Sequence, residues 1–93
     1  MNWPFDQERN VATLTTQQVA RSGLPVLLVT HYADDHSWLF ACGTTNNMAD
    51  YLIVGMGEVV DLDETLLEVA DLPPGWSATR TGIGGDWRRY EGE

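Results

Sequence analysis

The sequence contains no lysine, and its five arginines face fourteen acidic residues, which leaves a net charge of −9 over 93 residues. Proteins that bind nucleic acids through a basic surface need clusters of lysine and arginine to neutralise phosphates. The same shortage of basic residues argues against attachment to anionic membranes. We therefore expect neither a nucleic acid nor a membrane among the partners of this chain.

Cysteine is also scarce, since Cys42 is the single one in the sequence. One cysteine cannot form an intrachain disulfide, which excludes a secreted scaffold held together by such bonds. The N-terminal residues show no basic segment followed by an apolar core, and no apolar run approaches the roughly 20 residues of a membrane helix. These absences predict a cytoplasmic protein.

The negative charge is concentrated in the middle of the chain. Between Ser22 and Thr79 there are nine acidic residues and no basic one, whereas the remainder has five of each. Six of the nine form what we call the acidic segment: Glu58, Asp61, Asp63, Glu64, Glu68 and Asp71. A field of one sign steers oppositely charged partners. The segment therefore predicts a docking surface for a basic protein partner.

Two other interpretations of the acidic segment stay open. The carboxylates could form a solvated surface that only keeps the protein soluble. Alternatively, the arginines near the C-terminus, Arg80, Arg88 and Arg89, could pair with the segment inside one molecule. Such pairs would reduce the acidic field locally, with little gain in stability if they lie at the surface.

The length predicts one domain, because domains usually span roughly 100–200 residues. Residues 1–10 are expected to form an irregular arm, and residues 11–93 a single domain. One short helix is predicted over 16–22, where Thr15 is a good cap and Gln18 completes a capping box. A second helix is predicted over 64–70, capped by Asp63.

Runs of β-branched and apolar residues predict strands over 11–13, 26–31, 37–42, 51–54, 76–81 and 87–90. Polar turns make hairpins of the second and third strands and of the last two. A polar loop is predicted over 43–47, a buried strand over 51–54, and a bulge, a turn or a close backbone approach at Gly55–Gly57. Hairpins with two short helices predict an α+β domain with a mainly antiparallel sheet.

The densest set of metal-binding side chains lies in the first hairpin turn, at His31, Asp34, Asp35 and His36. Imidazoles and carboxylates together can hold zinc or a similar ion. However, their spacing matches no standard metal signature, and aspartate is favoured in turns for its hydrogen bonds to the backbone. A metal- or small-ligand-binding domain built on this turn is therefore the alternative to a protein-binding module.

No motif predicts catalysis or a cofactor. Cys42 ends an apolar strand, where a free cysteine is usually an inert core residue. The serines lack a nucleophile elbow. The glycines of the stretch 82–85 precede a predicted strand rather than the helix that a phosphate loop requires. We therefore expect a protein that is not an enzyme and that holds no cofactor.

Three stretches of the chain carry a family resemblance: residues 35–43, 62–66 and 70–80, followed by Trp87. They are similar to a bacterial family of small uncharacterised domains, some of whose members are described as immunity proteins of polymorphic toxin systems. The Leu-Pro-Pro-Gly-Trp stretch at 72–76 is the most specific part. The family pattern favours proline after the capping aspartate, where this chain has Glu64.

The family has no established catalytic residues, so the resemblance implies a non-enzymatic binding protein. Its specific form would be an immunity-type inhibitor of a basic toxin. An accessory or homo-oligomerising domain without specific chemistry is a further alternative.

Overall fold

The computed structural model describes residues 3–43 and 47–93. Its strands are β1 (Ala12–Thr16), β2 (Leu28–His31), β3 (Trp38–Ala41), β4 (Tyr51–Gly55), β5 (Trp76–Thr79) and β6 (Arg88–Glu91). The α-helices are α1 (Gln17–Ala20) and α2 (Met56–Leu62), and 3₁₀ helices span Met48–Asp50 and Glu64–Val69. The predicted α+β fold is confirmed. The first two residues of the predicted arm, and most of the polar loop predicted over 43–47, lie outside the described residues.

The six strands form one mixed sheet in the order β4-β1-β3-β2-β5-β6. The predicted hairpins are present, because β2 pairs antiparallel with β3, and β5 with β6. β1 and β3 pair in parallel. The hydroxyls of Thr13 and Thr15 strengthen this short parallel pair, since each donates to a β3 carbonyl, of Trp38 and Phe40 respectively, at 2.7 Å.

The helices cover one face of the sheet, and the hydrophobic core lies between the helices and this face. Val29, Phe40 and Ala78 lie side by side on the central strands and are each 0% exposed. They share one cluster with buried residues of α2 and of the longer 3₁₀ helix: Met56, Val59, Val60, Leu66 and Val69. Helices this short are marginal on their own, so packing against the sheet stabilises them. No helix among the described residues is long and apolar enough to cross a bilayer.

The prediction that Thr15 caps the first helix is wrong. β1 continues through Thr16 because it pairs along its length with β4. Thr15 is therefore a strand residue, with its hydroxyl bonded to β3. Thr16 caps α1 instead, where its hydroxyl accepts from the backbone N–H of Val19 at 3.4 Å. The helix is also shorter than predicted, because it ends at Ala20.

The region around Gly55 also differs from its prediction. The stretch Gly55–Gly57 forms neither a turn nor a bulge but the start of α2, with Gly55 as the residue before the first turn. The close backbone approach that was the third possibility is present, because the Gly57 N–H donates to the carbonyl of Arg9 at 2.9 Å. The strand before it is not buried but lies at an edge of the sheet, where Ile53 is 72% exposed. The helix predicted over 64–70 is a 3₁₀ helix, and Asp63 caps it by accepting from the Thr65 N–H at 3.0 Å.

Candidate protein-binding surface

The acidic segment lies on the outer side of the helical layer. Glu58 and Asp61 belong to α2, and Glu64 and Glu68 to the 3₁₀ helix that follows. All four are exposed, as is Asp71 beyond the helix, while the apolar residues between them, apart from the exposed Leu62, are turned towards the sheet. The helical spacing of apolar and acidic residues thus separates a buried side from an acidic side.

Asp63 is the exception, because it forms a buried ion pair with Arg80. Its Oδ2 lies 2.6 Å from Nη2 of Arg80, and the two side chains are 11% and 0% exposed. Arg80 also donates through Nε to the carbonyl of Val26 at 3.0 Å, and through Nη1 to the hydroxyl of Thr65 at 2.7 Å. The guanidinium carbon lies 4.2 Å from the ring centroid of Trp87. Asp63 is therefore a structural residue and is unavailable to a partner.

Two further members of the segment form ion pairs at the surface. Asp61 Oδ2 lies 2.6 Å from Arg9 Nη2, with side chains 61% and 47% exposed. Asp71 Oδ1 lies 2.7 Å from Arg89 Nη1. Exposed pairs of this kind contribute about 0–1 kcal/mol, so they stabilise the fold little. They do neutralise two carboxylates, which reduces the acidic field of the segment.

The sequence interpretation considered Arg80, Arg88 and Arg89 as internal partners of the segment. Arg80 and Arg89 form such ion pairs, whereas Arg88 takes part in none of those found within residues 3–43 and 47–93. The interpretation missed Arg9, which crosses from the N-terminal arm to α2. Arg9 also lies over the Trp3 ring, 5.0 Å from its centroid. A side chain at Gly57 would meet it, since a Cβ there would lie 2.9 Å from Arg9 Nη2. The glycine at position 57 within α2 is the one signal of such a contact in the sequence.

Three carboxylates of the segment form no ion pair, although Arg89 donates to the backbone carbonyl of Glu68 at 2.8 Å. Glu58, Glu64 and Glu68 are exposed and take part in none of the ion pairs found within residues 3–43 and 47–93. They lie on two consecutive helices that are packed against each other. Their charges therefore lie on one packed layer of the fold, which suits recognition of a basic surface.

The first hairpin turn does not gather its four candidate metal ligands. His31 is 3% exposed, and its Nδ1 donates to the carbonyl of Leu72 at 2.7 Å. Its ring stacks on Trp38 with centroids 4.0 Å apart, and its Nε2 points towards Asp6 at 3.5 Å. His36 is exposed, at a positive φ of 59°. Within the described ranges, no group of three or more His, Cys, Asp or Glu side chains is arranged to hold a metal ion.

The two aspartates of the turn organise its backbone. Asp34 Oδ1 accepts from the Asp35 N–H at 2.9 Å. Asp35 Oδ1 accepts from the Ser37 hydroxyl at 2.7 Å and from the Ser37 N–H at 3.0 Å. Hydrogen bonds from the Ser37 hydroxyl and N–H lower the pKa of the Asp35 carboxyl below its usual value. The turn is therefore explained by its own hydrogen bonds.

We expect replacement of Ser37 by alanine to raise the pKa of Asp35 towards its ordinary value of 3.8. The substitution removes the hydrogen bond from the Ser37 hydroxyl, which lowers the Asp35 pKa most, while the backbone N–H of residue 37 still donates. An NMR titration of the Asp35 carboxyl carbon measures this shift. An unchanged Asp35 pKa would contradict the hydrogen-bonded geometry.

The N-terminal arm predicted over residues 1–10 is packed onto the core by its aromatic residues, at a place that the sequence did not specify. Phe5 is buried in the core, and its ring meets Trp38 edge-on at 5.1 Å. The indole N–H of Trp38 donates to Gln7 Oε1 at 2.6 Å. The arm thus lies over the end of β3 and closes the core there. It brings Arg9 to α2, so arm and acidic surface form one structural unit.

Comparisons with protein-family models, with curated proteins and with solved structures found no match to this chain.

Proposed function

We propose that this protein is a non-enzymatic, cytoplasmic protein-binding module that presents Glu58, Glu64 and Glu68 to a basic protein partner. The observation that supports it is the division within the acidic segment. Three of its carboxylates are bound by arginines of the same chain, and the other three are exposed with no such pair in the described ranges.

The specific form favoured by the sequence resemblance is an immunity-type inhibitor of a basic toxin. An inhibitor of this kind must reach its toxin before the toxin acts. Complementary charge accelerates such an encounter, because oppositely charged surfaces associate far faster than neutral ones at low salt. The small size and strong negative charge of the chain fit this task.

We expect the wild-type protein, immobilised at low salt, to capture a basic protein from a lysate of its own organism. Reversing the three charges, with Glu58→Lys, Glu64→Lys and Glu68→Lys together, should weaken binding of the purified partner about tenfold or more at low salt. The physical reason is that attraction at the centre of the contact becomes repulsion. Surface plasmon resonance measures both the association rate and the affinity.

The matched control reverses three other exposed acids, Glu8, Asp86 and Glu91, which take part in no ion pair of the described ranges. This control changes the net charge by the same amount and should retain most of the affinity. Equal losses in both variants would mean that only the total charge matters. Binding that survives the first reversal unchanged would contradict the proposed surface.

A further inference from the structure

A shallow apolar cavity lies beside the acidic surface, at the end of α2. Its volume is about 110 Å³. It lies between the loop that follows α1, the last residue of α2 and the turn that joins β5 to β6. The side chains that form its apolar wall are Val19, Leu24, Pro25, Val26, Leu62 and Ile83.

Three of these side chains are exposed although they are large and apolar. Leu24 is 41% exposed, Leu62 61% and Ile83 64%. They come from three separate parts of the chain, yet they line one cavity. The described ranges contain seven large apolar side chains that are exposed, so nearly half of them meet here. Such convergence of exposed apolar groups marks interaction sites.

The size of the cavity limits what it can receive. Sites for cofactors and drug-sized ligands usually span about 300–1,000 Å³. A cavity of about 150 Å³ is large enough for a benzene ring. The volume of about 110 Å³ therefore suits one bulky side chain, such as leucine or phenylalanine, better than a small-molecule ligand.

The surroundings of the cavity determine the charge of its occupant. Leu62 is followed by Asp63, which also lines the cavity, and then by Glu64. Asp63 is already bound to Arg80 and Asp61 to Arg9, but Glu64 is exposed and takes part in no ion pair of the described ranges. Residues on either side of the inserted side chain would therefore lie near the Glu64 carboxylate. Lysine or arginine at these places is attracted, and an acidic residue is repelled.

We infer that this cavity receives one bulky apolar side chain, flanked by lysine or arginine, from the basic partner. This inference rests on the proposed function and supplies its central contact. Apolar anchors in a pocket, surrounded by polar and charged contacts, carry most of the affinity of protein interfaces. A second copy of the chain does not fit this site, because it would bring a net charge of −9 to an acidic surface.

The test uses a library of random twelve-residue peptides displayed on phage and selected against the wild-type protein. We expect the enriched peptides to combine lysine or arginine with leucine or phenylalanine. A synthetic peptide of the enriched sequence should bind about tenfold more weakly to Ile83→Asp and to Leu62→Asp. Ile53→Asp is the matched control, since Ile53 is 72% exposed on β4 and lines no part of the cavity. It should bind like the wild type.

The outcomes separate this inference from the proposed function. Enriched peptides that are basic but lack an apolar anchor, or that bind Ile83→Asp normally, overturn the cavity inference and leave the acidic surface standing. Enriched peptides that are apolar but lack basic residues contradict the predicted lysine or arginine beside the apolar side chain, and they also contradict the proposed role of the acidic surface. Thermal melts of Ile83→Asp and Leu62→Asp confirm that each variant is folded, since both positions are exposed in the native structure.

Discussion

Replacement of Asp63 by alanine should lower the free energy of unfolding by about 3–5 kcal/mol, because it leaves Arg80 as a buried charge without its partner. The Arg80 side chain is 0% exposed, so water cannot replace the lost carboxylate. The variant also loses the cap of the 3₁₀ helix, where Asp63 accepts from Thr65. A small domain with a total stability of about 5–15 kcal/mol would be severely weakened.

Thermal unfolding followed by circular dichroism measures this effect, which should lower the Tm by about 12 °C or more. Asp61→Ala is the matched control. Its carboxylate also lies 2.6 Å from an arginine nitrogen, but that pair is exposed. The control should therefore cost at most about 1 kcal/mol. A similar loss of stability in both variants would contradict the account. It would show that burial of the ion pair does not decide how much an acidic residue contributes to stability.

Replacement of Trp38 by alanine should cost about 3–5 kcal/mol, the usual loss when a large aromatic residue is removed from a core. Trp38 is 0% exposed and stacks between His31, at 4.0 Å, and Phe40, at 5.9 Å. Its indole N–H also holds the arm through Gln7. The substitution therefore has two effects: it leaves a cavity in the core, and it removes the hydrogen bond that holds the N-terminal arm.

Urea unfolding measures the stability of Trp38→Ala, and limited proteolysis reports whether the arm is released. Met48→Ala is the control, because Met48 is 82% exposed and its loss should change stability by no more than about 0.5 kcal/mol. A Trp38→Ala protein with the stability of the wild type would show that the arm and β3 do not form the packed contact described above.

The hairpins could be predicted from the sequence, whereas α2 could not. Runs such as Val26–Val29 have the β-branched and apolar composition of a buried strand, and short polar turns follow them. In α2 the glycine at position 57 lowers the helix propensity by about 1 kcal/mol relative to alanine. That glycine is explained by tertiary structure, because Arg9 packs where its side chain would lie.

The acidic segment shows the same limit. Its six carboxylates could be identified from the sequence, but not which of them lie free at the surface. Arg9 meets Asp61 across 52 residues, and Arg80 meets Asp63 across 17. The fold alone brings these partners together. Alternation of apolar and acidic residues predicts which side chains are outside, whereas the choice of ion pairs depends on where the arm and β5 lie.

The apolar cavity was not predicted for a related reason. Its exposed side chains come from a loop, a helix end and a turn, none of which has a periodic pattern. An exposed leucine or isoleucine is also common on protein surfaces and is not a signal by itself. Only the folded arrangement brings Leu24, Leu62 and Ile83 to one place beside the exposed carboxylates.

The central claim is that the charges of Glu58, Glu64 and Glu68 attract the partner. Its most direct test compares how the affinity for the partner depends on salt in two forms of the protein. These are the wild type and the variant with Glu58→Gln, Glu64→Gln and Glu68→Gln. Raising the ionic strength from about 0.01 M to about 1 M shortens the Debye length from about 30 Å to about 3 Å. At low salt we expect the wild type to bind the partner more tightly than the variant does. At high salt we expect the affinities of the two proteins to converge. Equal affinities at low salt, or a wild-type affinity that salt does not change, would contradict the account.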